Sequence, residues 1–375
     1  MRLLDRYLLR ELLVPFGYCL GGFLIFWISS DVLVSLEDFQ RHRLGGRDIL
    51  EYYLVKAPGD VVFVLPIALL LALLYTLTNL ARHQELTAMR AAGISLPRLA
   101  LPFLIVGFLL SVASFAANEF WVPESMERAE HIFRRHNANP AEAGSRQWVR
   151  KLGFINLRDQ RQWLIEAYNT VSGDMIRPHV AWPLPEGRRC ELTAAAAARV
   201  DGVWIFTNAQ QFTYSAVAGE YPAKEEFATV ARPDFTETPE EIQSEIKIGR
   251  INPVNLKSVR KAELSLREIL NYQRLHPETT GRLALMLATK GHGRMAAPWT
   301  CLVVVLIALP FGAMAGRRNV VVGVASSLVI CFAFFVLREL TLALGTGGYV
   351  TPWLAAWAPN LSFAGLGLWL TWRAR

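Results

Sequence analysis

Apolar residues are distributed unevenly along this chain. They gather into three long runs at the front, Leu12–Val34, Val61–Leu80 and Pro97–Phe120, and three at the back, Met295–Ala315, Val320–Leu344 and Trp353–Trp372. Each run is close to the roughly 20 residues that a helix needs to cross a bilayer core. The pattern predicts a membrane α-helical protein with six transmembrane helices in a 3+3 arrangement. Between the third and fourth lies a long stretch of mixed polarity, which predicts a soluble insert. A chain built this way joins two compartments.

The insert, from Trp121 to about Gly249, reads as β structure. Gln147–Lys151, Phe154–Leu157 and Gln162–Tyr168 are short runs rich in aromatic and branched residues. Ala194–Val200 and Val203–Thr207 flank Asp201-Gly202, a strong two-residue hairpin signal because both turn positions need positive φ. Strands of this length and spacing suit a sandwich or β-jelly-roll. Trp163, Ile165 and Ala167 alternate onto one face, as do Trp204 and Phe206. Two readings fit them: a packed core, or an apolar groove open to acyl chains. From Ser265 to Arg294 the period becomes helical, with Leu266, Ile269 and Leu270 on one face and Leu283, Met286 and Leu287 on another. Pro277 divides the two, and the pair reads as a helical stalk into the fourth span. The predicted domains are therefore 1–120, 121–264, 265–294 and 295–375.

Charge sets the orientation. Arg2, Arg6 and Arg10 precede the first span, Arg82, Arg90 and Arg98 lie between the second and third, Arg317 and Arg318 between the fourth and fifth, and Arg373 and Arg375 follow the sixth. Short basic loops stay cytoplasmic, so both termini are expected inside and the large domain outside. A formal net charge of +7, 53% hydrophobic residues, 11 Trp and a mean hydropathy of +0.26 suit that picture without a nucleic-acid partner. The first apolar run is too long for a cleavable signal and reads as a retained helix. Cys19, Cys301 and Cys331 fall in spans, leaving Cys190 alone in the insert without a disulfide partner.

The short inner loop Arg82–Ser95 holds the most telling segment. Helix formers fill it until Gly93, a natural stop. Ser95 is placed to cap the third membrane helix, with Pro97 in its first turn. Leu86 and Met89 share one face, flanked by Glu85 and Arg90. This is a short amphipathic helix, either an interfacial connector or a docking helix for a cytoplasmic partner.

Arg41, Arg43, Arg47 and Lys56 follow the first helix on the outer side. Arg338 lies about 30 Å along a helix from Asn319, near the same face. Such cations either snorkel to ordinary headgroups or meet substrate phosphates, for which the forked Arg side chain is well shaped. Asn79, Asn118 and Asn360 are candidates to tie helices together, and Gly21, Gly22, Gly365 and Gly367 to let them approach. No G-x-x-x-x-G-K-[ST] phosphate loop is present, and Gly291-His292-Gly293-Arg294 lacks its spacing and lysine. The histidines are scattered, and no metal set, cofactor motif or nucleophile–base pair emerges.

The run Glu85-Leu86-Thr87-Ala88-Met89-Arg90-Ala91-Ala92-Gly93-Ile94-Ser95 resembles the coupling segment of the LptF/LptG permease family. So do Leu4-Asp5-Arg6-Tyr7-Leu8, Trp163-Leu164-Ile165-Glu166-Ala167-Tyr168, Ala308-Leu309-Pro310-Phe311 and Ala356-Trp357-Ala358-Pro359-Asn360-Leu361. The resemblance spans nearly the whole chain. It implies a non-catalytic subunit of the lipopolysaccharide-exporting ABC transporter in a bacterial inner membrane. It would pair with a second permease of the family, be driven by an LptB-type ATPase dimer, and pass lipopolysaccharide to LptC and LptA across the periplasm. By the same resemblance Glu85, Leu86, Met89, Arg90 and Gly93 contact the ATPase. Basic residues at the outer ends meet lipid phosphates, and Trp163, Ile165, Trp204 and Phe206 line a lipid groove in the β domain. An envelope sensor would need a cytoplasmic output domain, for which the inner loops are too short. A gradient-driven transporter would place ionisable groups near the bilayer midplane. A lipoprotein-releasing permease would carry its large domain after the first span.

Overall fold

The computed structural model describes residues 3–41, 44–136, 147–215, 221–253, 255, 259, 264–313 and 320–373. It divides into two compact units, residues 1–136 with 285–375, and residues 137–284.

The membrane unit is helical. Helix α1 is Leu3–Arg41, α2 Gly46–Arg82, α3 Glu85–Ala91 and α4 Leu96–Ala116, the last continuing through a π-helical turn, Ala117–Trp121, into α5, Val122–His136. The later helices of this unit are α8 (Gly281–Ala296), α9 (Thr300–Ala313), α10 (Val320–Thr346) and α11 (Pro352–Arg373). Among the described residues five helical segments are long and apolar enough to cross a membrane: Leu3–Arg41, Gly46–Arg82, Leu96–Met126, Gly281–Pro310 and Val329–Gly347. Helix α11 has the length of a span, but its Trp, Pro, Asn and Gly residues dilute its hydropathy. Trp121–His136, expected to open the β insert, is helical instead. The period explains why: Val122, Ser125, Ala129 and Ile132 fall on one buried stripe, and α5 packs on α2.

Helix α2 is the axis of this unit. Leu69, Leu70, Leu73 and Leu77 meet Leu8 and Leu12 of α1, Leu99 and Phe103 of α4, and Val304, Val305 and Ala308 of α9. Lipid tails are as apolar as leucine, so close packing and polar ties carry helix association. A Cβ added at Gly107 would stand 2.6 Å from Val305 Cγ2, and one at Gly367 would stand 2.6 Å from the Leu306 carbonyl oxygen. Those two glycines bring α4 and α11 onto α9. Gly21, Gly22 and Gly365, expected to do similar work, face open space. Asn360 Nδ2 donates to the Ala296 carbonyl at 2.7 Å, as a helix tie should. At Asn118 it is the backbone carbonyl, in the π turn, that accepts from Arg294 Nη1.

The second unit is an antiparallel sheet: β1 Trp148–Asn156, β2 Arg161–Asn169, β3 Met175–Pro183, β4 Arg189–Thr193, β5 Ala196–Val200, β6 Val203–Tyr214 and β7 Ala223–Arg232. Helices α6 (Pro239–Gly249) and α7 (Leu266–Leu275) complete it. Each helix opens on a reciprocal cap, Thr238 with Glu241 and Ser265 with Glu268. Gln147–Lys151 and Phe154–Leu157, read as separate runs, belong to one strand, β1. The Asp201-Gly202 hairpin is present, with both residues at positive φ between paired Val200 and Val203.

Strands β4 and β5 are halves of one strand, because both keep a single register against β3 and a single register against β6. The sheet is therefore an up-and-down meander with every strand beside its sequence neighbour. The expected β-jelly-roll calls for Greek-key connections, and the described strands show none. A transverse row crosses every strand at Lys151, Glu166, Arg177, Ala195, Asn208 and Ala228. Lys151, Arg177 and Asn208 in this row have φ of 56°, 45° and 51°. The inward parity changes on crossing it, from Leu192 to Ala197 and from Phe206 to Ala209. The row is a crease, and the inward residues on both sides of it form one core.

That core is closed. Trp163, Ile165, Trp204 and Phe206 are 0–2% exposed and pack with Phe235, with Ile242 and Ile246 of α6, and with Leu275 of α7. The open groove expected at these four residues is filled by the chain itself. Glu237 seals one end. Its carboxylate accepts from Asn156 Nδ2 at 2.7 Å, Arg161 Nη1 at 2.8 Å and Trp163 Nε1 at 3.2 Å. Its carbonyl accepts from Trp204 Nε1 and Arg199 Nη1. The predicted stalk is divided between the units. Helix α7 joins the sheet through Lys247–Glu268 and His276–Glu245 pairs, while α8 runs on toward the fourth span.

Candidate functional site

Helix α3 is the best-defined candidate. It is set off from α2 by Gln84 at φ 60° and from α4 by Gly93 at φ +83°. The Ile94 N–H reaches the Met89 carbonyl and the Gly93 N–H the Arg90 carbonyl. This is a Schellman stop, which positive φ at Gly93 makes possible. Ser95 stands at the N-cap of α4, but its side chain makes no cap bond.

The orientation of α3 corrects part of the expectation. Leu86 and Met89 turn inward, into an apolar pocket lined by Leu8, Leu77, Leu80, Leu99, Phe103 and Leu309. They are half-buried and hold the helix on the apolar cluster. Glu85 accepts a hydrogen bond from Tyr7 Oη at 2.7 Å. The outward side carries Thr87, Ala88, Arg90, Ala91 and Gly93. Of the five residues expected at this surface, Arg90 and Gly93 are exposed and Glu85 is partly so. Thr87, Ala88 and Ala91, which their spacing sets opposite Leu86 and Met89, are exposed beside them. Small side chains there allow a partner's surface to come close to the helix backbone.

The outer cations are scattered by comparison. Arg41 pairs with Glu37 on an exposed helix turn, and Arg47 is exposed. Arg43 lies outside the described residues. Lys56 is bound into α1: its Nζ is 2.7 Å from Asp31 Oδ2, with the Tyr52 and Tyr53 rings at 5.5 and 5.8 Å. Tyr53 Oη donates to the same carboxylate, and Trp27 Nε1 donates to Asp60. Arg338 is part-exposed on α10, with its Nη1 3.9 Å from Glu339 Oε1. Neighbouring helical residues diverge, and here long side chains close the gap. Among the described residues no cluster of His, Cys, Asp or Glu is arranged to hold a metal.

Several apolar helices of membrane-spanning length, with an antiparallel β insert and a short helix seated on the apolar cluster, fit a multi-pass membrane permease. The family described as lipopolysaccharide export system permease LptF/LptG matches residues 6–373, and the chain belongs to it. Lipopolysaccharide export system permease protein LptG of Escherichia coli strain K12 is 24% identical over 392 residues, covering 99% of this chain and 98% of that protein. The same protein of Escherichia coli O6:H1 strain CFT073 matches with equal identity and coverage.

Proposed function

We propose that this chain is a G-type permease subunit of the lipopolysaccharide exporter, with six spans, cytoplasmic termini and a periplasmic sheet domain. Family membership and the names of both relatives support the export role, and the inner arginines support the orientation. The subunit does no chemistry of its own. A paired permease completes the membrane path, an LptB-type ATPase dimer supplies the work, and LptC and LptA receive the glycolipid. The observation that carries the mechanism is α3: a short helix resting on the apolar core through Leu86 and Met89, with a face of small side chains and Arg90 left outside. Closure of an ATPase dimer against that face would displace the helix and the spans packed on it. On the outer side, Arg47, Arg41 and Arg338 are the better-placed cations for lipid phosphates, and Arg43 stays with them as a sequence-based candidate. Lys56 is already neutralised by Asp31 and is a helix clamp in this form.

The test has two parts. Depleting the protein in its host should trap newly made lipopolysaccharide in the inner membrane; normal delivery, with no second copy able to substitute, would overturn the export role. Ala88→Trp should abolish ATPase co-purification while the permease pair stays assembled. Retention of the ATPase at wild-type level would remove the outward face of α3 from the docking surface.

A further inference from the structure

Within this chain the first span is the most weakly packed of the apolar helices. In its most apolar window 6% of residues are buried, against 61% for α2. Its buried residues, Leu8, Leu12 and Phe39, lie toward the two ends. Between them Gly17, Gly21 and Gly22 face open space, and Pro15 removes one rung of the helical ladder. The outer end is held to α2 by the Asp31–Lys56 pair and the Trp27–Asp60 bond. The inner end is held by Arg98–Asp5 at 2.8 Å, by Thr76 Oγ1 donating to the Glu11 carbonyl, and by Tyr7–Glu85. The middle is the compliant part of α1.

Only some contacts of α3 are directional. Leu86 and Met89 sit in an apolar pocket, and such contacts tolerate sliding because apolar attraction has no preferred direction. The turns at Gln84 and Gly93 bend the chain sharply on either side of α3. Tyr7–Glu85 is different: a charge-assisted bond between one atom of α1 and one atom of α3, with a narrow range of length and angle.

We propose that Tyr7 is a positioning residue that couples α3 to the first span. A displacement of α3 is passed through the Tyr7–Glu85 bond to the inner end of α1, which then bends over Pro15–Gly22 about its clamped outer end. This rests on the reading of α3 as the helix that docks the ATPase.

The experiment uses the full permease pair with its ATPase in lipid nanodiscs. Tyr7→Phe keeps the ring and removes only the bonding hydroxyl. Its ATPase should co-purify and hydrolyse ATP as in the wild type, while lipopolysaccharide released per ATP falls about tenfold, the scale of one hydrogen bond to a charged group. Glu85→Gln keeps an acceptor for Tyr7 and should retain most of the release ratio. Tyr7→Phe combined with Glu85→Ala should be no worse in that ratio than Glu85→Ala alone. An unchanged release ratio in Tyr7→Phe would overturn the proposal. So would loss of the ATPase, or of the protein from the membrane, since the bond would then serve docking or folding. Failure of the docking reading shows up separately, as Ala88→Trp that keeps its ATPase.

Discussion

The sheet unit and the membrane unit both bury apolar side chains, but away from different solvents. In the sheet, water drives Trp163, Trp204, Phe206 and Phe235 together, and the polar price is met by one buried residue, Glu237, whose carboxylate takes Trp163 and Arg161 and whose carbonyl takes Trp204. In the membrane unit the surroundings are as apolar as the interior. Order there comes from how closely backbones approach at Gly107 and Gly367, and from single ties such as Asn360 to Ala296. A large side chain is thus the asset of one region and its absence the asset of the other. The sheet concentrates its specificity in one polar hub, whereas the membrane unit distributes it over many weak contacts.

Glu237→Ala should break the comparison most sharply. It takes from Arg161, whose side chain is 11% exposed, one of two carboxylate partners, leaving Asp159 at 3.0 Å, and it takes the acceptor of the buried Trp163 Nε1. The expected loss is about 1–3 kcal/mol, the scale of a buried donor left unsatisfied. Thermal unfolding of the full-length protein, followed by tryptophan fluorescence and by proteolysis within residues 147–284, would show the sheet melting first. An unaltered transition would mean that the hub contributes little.

Gly367→Leu is the corresponding insult to the membrane unit. It forces α11 off the Leu306 carbonyl and should cost about 1–3 kcal/mol by overpacking. Detergent-resistance and thermal-aggregation assays should report it, with sheet proteolysis unchanged. If both units respond together, they are not independent in stability.

Acid should sharpen the contrast. Burial pushes the Asp159 carboxyl up, but Arg158 and Arg161 outweigh it and hold the group below its usual range. Its folded pKa is lower than its unfolded one, so its contribution is present above the ordinary carboxylate range and is lost as pH falls through the lowered value. Asp159→Asn should lower sheet stability most at neutral pH, where the contribution is present, and least below the lowered value, so the acid limb flattens. The same steep acid limb in the variant would assign it to other carboxylates.

Asn360→Ala should cost only about 0.6 kcal/mol, the usual size of one polar tie between membrane helices. Lys151→Gly should have the smallest effect, a gain of a few tenths of a kcal/mol. Relief of a left-handed backbone there is largely offset by glycine's extra chain entropy. A loss instead would show that the Lys151 side chain, not its backbone, holds the crease.

Much of the architecture was legible because it rests on short-range chemistry. Apolar run length marks a membrane helix wherever it falls, Asp201-Gly202 carries its own turn, and Gly93 ends α3 through its own φ. The capping pairs at Thr238 and Ser265 are equally local, yet the helix after Thr238 falls in a stretch that reads as β structure. What only the tertiary structure decided concerns direction. Leu86 and Met89 lie on one helical face in any reading, but the sequence cannot say whether that face meets a partner or Leu8, Leu77 and Phe103; the packing of α1, α2 and α4 turned it inward. Trp163 and Trp204 alternate as strand residues should, yet whether they line a groove or fill a core depended on Phe235 and α6 arriving between them. The crease is the clearest case. Parity reversal on every strand is invisible to a period-two reading, because each half-strand alternates correctly by itself and only alignment of six strands shows one bend. Periodicity reports which residues share a face; the elements that arrive from elsewhere in the chain decide what that face meets.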